Sequence, residues 1–286
     1  MLTASKTMAA RIERAECETV LAFAAELQAG GADVLIQEIG GTTAVFGGPG
    51  QPINKLAGLG FASPLDEGSL QGLEAAYDAR AAEIRVELAT LADPAAGTLL
   101  TRRGYELAGY ENVLGLPLSG DIVDGLQLAQ EADAARGTVV ARATEDETRT
   151  WIETVAEGFG HPDQFDGPPP TESFGLETLL DVMAVSARVP GTGMYLARRD
   201  GTIAGGGSIR INNGLAQLSG AATLPPQRRK GVQSALLRAR LLDAARQGAD
   251  LAIVTTEPAS KSQQNVQRMG FELLYSRAVL IRRPRA

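Results

Sequence analysis

Residues 225–234 read Pro225-Pro226-Gln227-Arg228-Arg229-Lys230-Gly231-Val232-Gln233-Ser234. A strand-like apolar run, Leu215 to Leu224, leads into them. A helical pattern with apolar residues at 232, 235, 236, 239 and 242 leads out, from Val232 to about Gln247. A strand, a cationic turn and a helix start form an anion seat. The first turn of a helix leaves backbone N–H groups without partners, and the helix dipole adds positive charge there. Gly231 lets a ligand come close to the backbone. The pattern predicts a ligand that carries phosphates.

The rest of the chain narrows the class. It has 286 residues, enough for two domains, with 44% hydrophobic and 21% charged residues. No apolar run reaches the about 18–20 residues that span a bilayer, and residues 1–10 lack the apolar core of a signal peptide. The expected compartment is the cytoplasm. A net charge of −7 argues against general nucleic-acid binding. Against that background the three cations at 228–230 stand out, because the chain has only four lysines: Lys6, Lys55, Lys230 and Lys261. One cysteine, Cys17, and one histidine, His161, argue against a disulfide framework and a His- or Cys-rich metal site, and leave little for a Ser-His-Asp device.

Along the chain, a helix is expected over about 9–27, a hairpin over 34–46 turning at Gly40-Gly41, and an apolar run over 56–61. A helix at 66–79, a strand at 83–88, a helix at 94–102 and a strand at 105–116 follow. Residues 117–137 read as a connection with one helix inside it. Then come a strand at 138–142 and a capping box, Thr144 with Glu147, opening a helix that holds Trp151, a core or domain-interface residue on this pattern. A loop with three prolines separates it from a helix at 171–187. Asp200-Gly201 and Asn213-Gly214 mark two further hairpin turns. A strand at 251–256, a helix at 260–269 and two short strands close the chain. Arg240 and Arg246 read as solvated helix charges, and Cys17 as a small buried residue.

Arg103-Gly104-Tyr105-Glu106-Leu107 is echoed by Met269-Gly270-Phe271-Glu272-Leu273, and Val113-Leu114 by Val279-Leu280. The offset is 166 residues in both places. A constant offset across helix end, turn and strand points to a duplicated domain.

The C-terminal half resembles the GCN5-related N-acetyltransferase (GNAT) superfamily. Its signature, Gln/Arg-x-x-Gly-x-Gly/Ala after a strand, is matched by Arg228-Arg229-Lys230-Gly231-Val232-Gln233, except that Gln233 stands where Gly or Ala is usual. Ser260-Lys261-Ser262-Gln263-Gln264-Asn265-Val266-Gln267-Arg268-Met269-Gly270-Phe271 is similar to the family's closing helix and turn. The resemblance implies an α/β (α+β) fold of two tandem GNAT-like domains. Each is a mixed, mostly antiparallel twisted sheet flanked by helices, with a central parallel, splayed strand pair. The expected division is a degenerate domain over 1–120, a linker over 121–137 and a catalytic domain over 138–286. In the first half, Phe61-Ala62-Ser63-Pro64-Leu65-Asp66-Glu67-Gly68 stands where the phosphate loop belongs, with two carboxylates and no cation. That half is expected not to bind the cofactor.

The resemblance also implies acetyl-CoA as acyl donor and a primary amine of a small molecule or amino-acid-like acceptor, in a monomer or homodimer with no metal and no membrane partner. Arg228, Arg229, Lys230, Gly231, Val232, Gln233 and Ser234 would hold the pyrophosphate. Ala222, Thr223 and Leu224 would pair with the pantetheine arm, and Ser262 and Asn265 would contact its far end. Backbone N–H groups near Gly220-Ala221-Ala222 would face the developing oxyanion. Many members have a tyrosine acid four residues before the Gly-Phe pair; Val266 stands there, leaving Tyr275 and Ser262 as substitutes. Glu257, or His161 with its suitable intrinsic pKa, is the expected base, and Asp163 and Asp166 would attract a cationic acceptor. Two alternatives stay open: a CoA-binding sensor without turnover, and a transferase that uses another acyl-CoA.

Overall fold

The computed structural model describes residues 2–161 and 174–285. The chain forms two compact units that are not contiguous in sequence: Thr3–Val113 with Leu274–Ala286, and Leu114–Leu273 with the first two residues.

In the first unit, helix α1 (Lys6–Ala29) starts at Ser5, whose hydroxyl accepts from the Met8 amide at 3.1 Å. Strands β1 (Leu35–Ile39) and β2 (Thr42–Phe46) form the expected hairpin; Gly40 and Gly41 turn it with φ of 57° and 73°. The run at 56–61 yields only β3 (Lys55–Ala57), because Gly58 and Gly60 take φ of 73° and 84° and break it. Helix α2 (Glu67–Asp78), β4 (Ile84–Ala89), α3 (Pro94–Arg102) and β5 (Glu106–Pro117) follow as expected. Leu56, Leu70, Leu73, Tyr77, Ile84 and Leu100 form the core.

The chain closes with one strand, β11 (Glu272–Arg282), where two short ones are expected; no turn residue interrupts it. It runs antiparallel to β4, Arg277 opposite Ala89 and Arg282 opposite Ile84. Arg282 also grips Asp78 with two bonds of 2.9 Å. The last strand is thus part of the first unit, so the units divide differently from the expected boundary at 138–286. Strands β5 and β11 begin 166 residues apart, after glycines at 104 and 270 with φ of 86° and 97°. The echo in the sequence is therefore an echo in structure.

One side of this unit holds a buried ionic cluster that no sequence pattern announces. Glu13 accepts from Tyr275 at 2.7 Å and from Arg277 at 2.8 Å through one oxygen, and its other oxygen has no partner among the described residues. Lys55 bonds Glu16 at 2.7 Å and Glu87 at 3.1 Å. Glu111 lies 3.6 Å from both Arg85 and Arg277. Burial and the charge of Glu87 push the Glu111 carboxyl up to about 7. Burial works against ionising Glu16 as well, but Lys55 and Arg277 outweigh it and hold that carboxyl at about 2. Cys17 is half-buried rather than buried; its thiol bonds the Ala57 carbonyl at 3.2 Å, and burial pushes it up to about 11.

The second unit carries α4 (Gly120–Ala135), β6 (Thr138–Arg142), α5 (Thr148–Gly160), α6 (Leu176–Arg188), β7 (Thr192–Arg199), β8 (Thr202–Asn212), β9 (Leu215–Thr223), α7 (Val232–Arg246), β10 (Leu251–Thr256) and α8 (Lys261–Arg268). Residues 121–137 are thus mostly helix, and Arg238 of α7 ties α4 down by bonding Asp133 at 2.7 Å. The capping box at Thr144 and Glu147 is present. Strands β6 to β9 run antiparallel in chain order, and β10 lies parallel to β9. Trp151 is fully buried, as expected. Arg240 is a correction: it is 2% exposed, not solvated. Its guanidinium bonds the carbonyls of Leu236, Ser208 and Ser219 at 3.1, 2.9 and 3.2 Å.

Candidate active site

The sheet of the second unit opens at its centre. Strand β10 pairs with β9 only from Leu251↔Leu215 to Ile253↔Gln217, whereas β9 stays paired with β8 as far as Thr223. From Leu218 onward the second edge of β9 therefore has no strand beside it among the described residues. The parting coincides with a bulge. Gly206 faces Ala222 and Ser208 faces Ser219, so Gly207 faces both Gly220 and Ala221. Gly220 takes φ of 55° there. Two residues opposite one bend a strand and raise its twist, which carries β9 away from β10. The carboxyl ends of a parallel pair that part in this way are a usual place for a ligand.

The quoted loop lies just beyond this opening. Strand β9 ends at Thr223, Pro225–Gln227 make one turn of 3-10 helix, and α7 starts at Val232. Arg229 and Gly231 both adopt left-handed backbone, φ 62° and 83°. Among the described residues no side chain caps α7, and its first internal bond runs from the Ala235 amide to the Gly231 carbonyl at 3.0 Å. The amides of Val232, Gln233 and Ser234 are left facing outward from the helix end.

The cations divide. Arg229 and Lys230 are exposed. Lys230 reaches only the Gln227 side chain, at 3.5 Å, and Arg229 makes no hydrogen bond among the described residues. Arg228 is turned inward, with its Nε on the Thr223 carbonyl at 3.3 Å and its Nη2 on the carbonyls of Gly158, at 3.4 Å, and His161. Gln233 points back to the end of β9, where its side chain accepts from the Thr223 hydroxyl at 3.5 Å.

The other expected residues fall into two groups. Ala222, Thr223 and Leu224 sit at the end of β9. Glu257 follows the end of β10, its carbonyl accepting from the Ser260 amide at 3.2 Å. Ser262 and Asn265 lie on α8, which packs beside α7. His161 caps the end of α5, with Nδ1 2.9 Å from the Glu157 carbonyl. Tyr275 is different. It belongs to the first unit, is buried, and donates its hydroxyl to Glu13; burial and that carboxylate push its pKa up. It is not free to act as an acid. Asp163 and Asp166 lie outside the described residues. Thr256, the last residue of β10, had no sequence signal: it is buried with a hydroxyl that has no partner among the described residues.

The corresponding helix start of the first unit is closed. The Asp66 carboxylate caps α2, accepting from the Ser69 amide at 2.8 Å and the Ser69 hydroxyl at 2.5 Å. Where α7 offers open amides, α2 already holds its own anion.

Residues 160–271 match the model of the acetyltransferase (GNAT) family. Solved structures with the same fold include a GCN5-related N-acetyltransferase from Kribbella flavida, 17% identical, covering 98% of this chain and 96% of that one with a TM-score of 0.66. A tandem GNAT protein from the clavulanic acid biosynthesis pathway is 14% identical, covering 88% and 84%, with a TM-score of 0.57. A GCN5-related N-acetyltransferase from Sphaerobacter thermophilus is 16% identical, covering 77% and 66%, with a TM-score of 0.52. No curated protein matches the chain. Residues 160–271 are thus similar to GNAT acetyltransferases, and nearly the whole chain shares the fold of the solved structures. No helix among the described residues is long and apolar enough to cross a membrane.

Proposed function

We propose that the second unit transfers the acetyl group of acetyl-CoA to a primary amine of a small molecule or amino-acid-like acceptor, by direct attack while both substrates are bound. The uncapped start of α7 beside the opened β9 edge carries this reading. Acetyl-CoA supplies the activated acyl group. The amides of Val232, Gln233 and Ser234 hold its pyrophosphate, with Arg229 and Lys230 as counter-charge. The edge of β9 at Ala222–Leu224, where Arg228 already holds the Thr223 carbonyl, offers its remaining backbone groups to the pantetheine amides, and the Thr256 hydroxyl adds one more polar group at the carboxyl end of β10. Ser262 and Asn265 approach from α8. The first unit takes no donor, because Asp66 fills the equivalent seat. Glu257, at the end of β10, and His161, at the end of α5, are the groups placed to take a proton from the amine.

Thiol release from acetyl-CoA across polyamines, amino acids, aminoglycosides and peptides tests the proposal. Turnover with at least one amine supports it. CoA binding without release from any of them favours the second reading, a CoA sensor, which Val266 at the usual tyrosine position and the engaged hydroxyl of Tyr275 support. Faster release from a longer acyl-CoA would change the donor but not the chemistry.

A further inference from the structure

Arg228 heads the cationic run, yet its side chain bonds three backbone carbonyls. One acceptor, Thr223, ends β9; the other two, Gly158 and His161, are at the carboxyl end of α5. That helix end carries carbonyls without intrahelical partners and the negative end of the dipole. A guanidinium there acts as a cap. The same helix end is in close contact with the donor strand: a Cβ added at Gly158 would stand 2.5 Å from the Cβ of Ala222. The α5 terminus is therefore held against β9 by shape and tied to the loop by Arg228. His161, the residue that Arg228 grips, is one of the two groups placed to take the proton.

We propose that Arg228 is a positioning residue that straps the carboxyl end of α5 to the loop between β9 and α7. It orients the acceptor side of the site and leaves the phosphates to Arg229 and Lys230. The role in orientation rests on the acetyltransferase reading; the strap itself does not. Arg228→Gln would release the end of α5 and leave the open amides of α7 unchanged. Arg228→Lys would restore part of the strap, because an ammonium keeps the charge without the planar fork.

The full-length protein and the variants Arg228→Gln, Arg228→Lys and Arg229→Gln are compared by hydrogen exchange over residues 154–161 and by calorimetric binding of CoA. Arg228→Gln is expected to exchange about tenfold faster there, as loss of charge-assisted bonds implies, with unchanged exchange over 192–212 and a CoA Kd within about twofold of wild type. Its KM for the best amine of the panel rises about tenfold, and Arg228→Lys falls between. Arg229→Gln shows the reverse, weaker CoA binding and unchanged exchange. Wild-type exchange at 154–161 in Arg228→Gln overturns the strap. A tenfold loss of CoA affinity in that variant makes Arg228 a phosphate ligand and overturns the assignment. If wild type binds no CoA, the transferase reading fails, and exchange alone decides the strap.

Discussion

The indole Nε1 of Trp151 donates to the carbonyl of Gly207 at 3.0 Å, at the residue where the bulge between β8 and β9 forms. Arg240 holds the same bulge from the other face, through the carbonyls of Ser208 and Ser219. The faces are opposite because a Cβ at Gly206 would meet Trp151 and Val155, and one at Gly207 would meet Arg240. Two buried side chains, one from α5 and one from α7, thus fix the point where the sheet opens. Trp151→Phe removes a donor from the buried Gly207 carbonyl, and Arg240→Met removes one from the Ser208 carbonyl. Each is expected to lower unfolding free energy by about 1–3 kcal/mol, measured by urea denaturation.

Gly158 and Ala222 touch so closely that a side chain at 158 forces α5 off β9. Gly158→Ala is expected to cost about 1–3 kcal/mol of stability through overpacking. Because the displaced surface borders the site, the amine KM should rise as well. Denaturation and steady-state kinetics check the two effects separately.

Gly231 is a different case. Its φ of 83° disfavours any side chain, but a Cβ there would meet nothing within 4 Å. Gly231→Ala is expected to cost about 1–2 kcal/mol, from backbone strain alone. CoA affinity should fall with it as the loop relaxes from the geometry that presents the α7 amides. Thermal unfolding and calorimetry report these.

The fold was legible where local rules act. Gly40-Gly41, Asp200-Gly201 and Asn213-Gly214 turn as their residue types require, and α7 starts at the residue after Gly231. The open start of α7 was legible for the same reason, being a backbone feature with a short signature. Side-chain direction was not. Arg228, Arg229 and Lys230 are three adjacent cations, and only the nearby carbonyls of α5 decide which one turns inward. Arg240 has the spacing of a solvated residue, and its burial depends on a bulge in two strands that are distant in sequence. The cluster of Glu13, Lys55, Glu87 and Arg277 joins residues separated by up to 264 positions, as Glu13 and Arg277 are, so no local pattern could show it.

That cluster sets a pH dependence. Glu111 faces Glu87, Arg277, Lys55 and Arg85, and its pKa is raised to about 7 from an ordinary 4.5. The folded state therefore holds this proton more tightly than the unfolded chain. Its contribution to stability is complete below pH 4.5 and is lost as pH rises to about 7. Glu16 has the opposite sign: held at about 2, it stabilises above pH 4.5 and loses that contribution as pH falls toward 2. Glu111→Gln is expected to gain stability over wild type as pH climbs from 4.5 to 7. Unfolding free energies of both proteins at several pH values test the sign; a parallel pair of curves would refute it.

The central claim is that the open start of α7 seats the pyrophosphate of CoA. Calorimetric titration of CoA into wild type and Arg229→Glu tests it most directly, since Arg229 is exposed and its reversal leaves the fold intact. Saturable binding to wild type, weakened about tenfold or more by the reversed charge and weakened further by added salt, is the predicted result. No binding to wild type, or equal binding to both proteins, would contradict it.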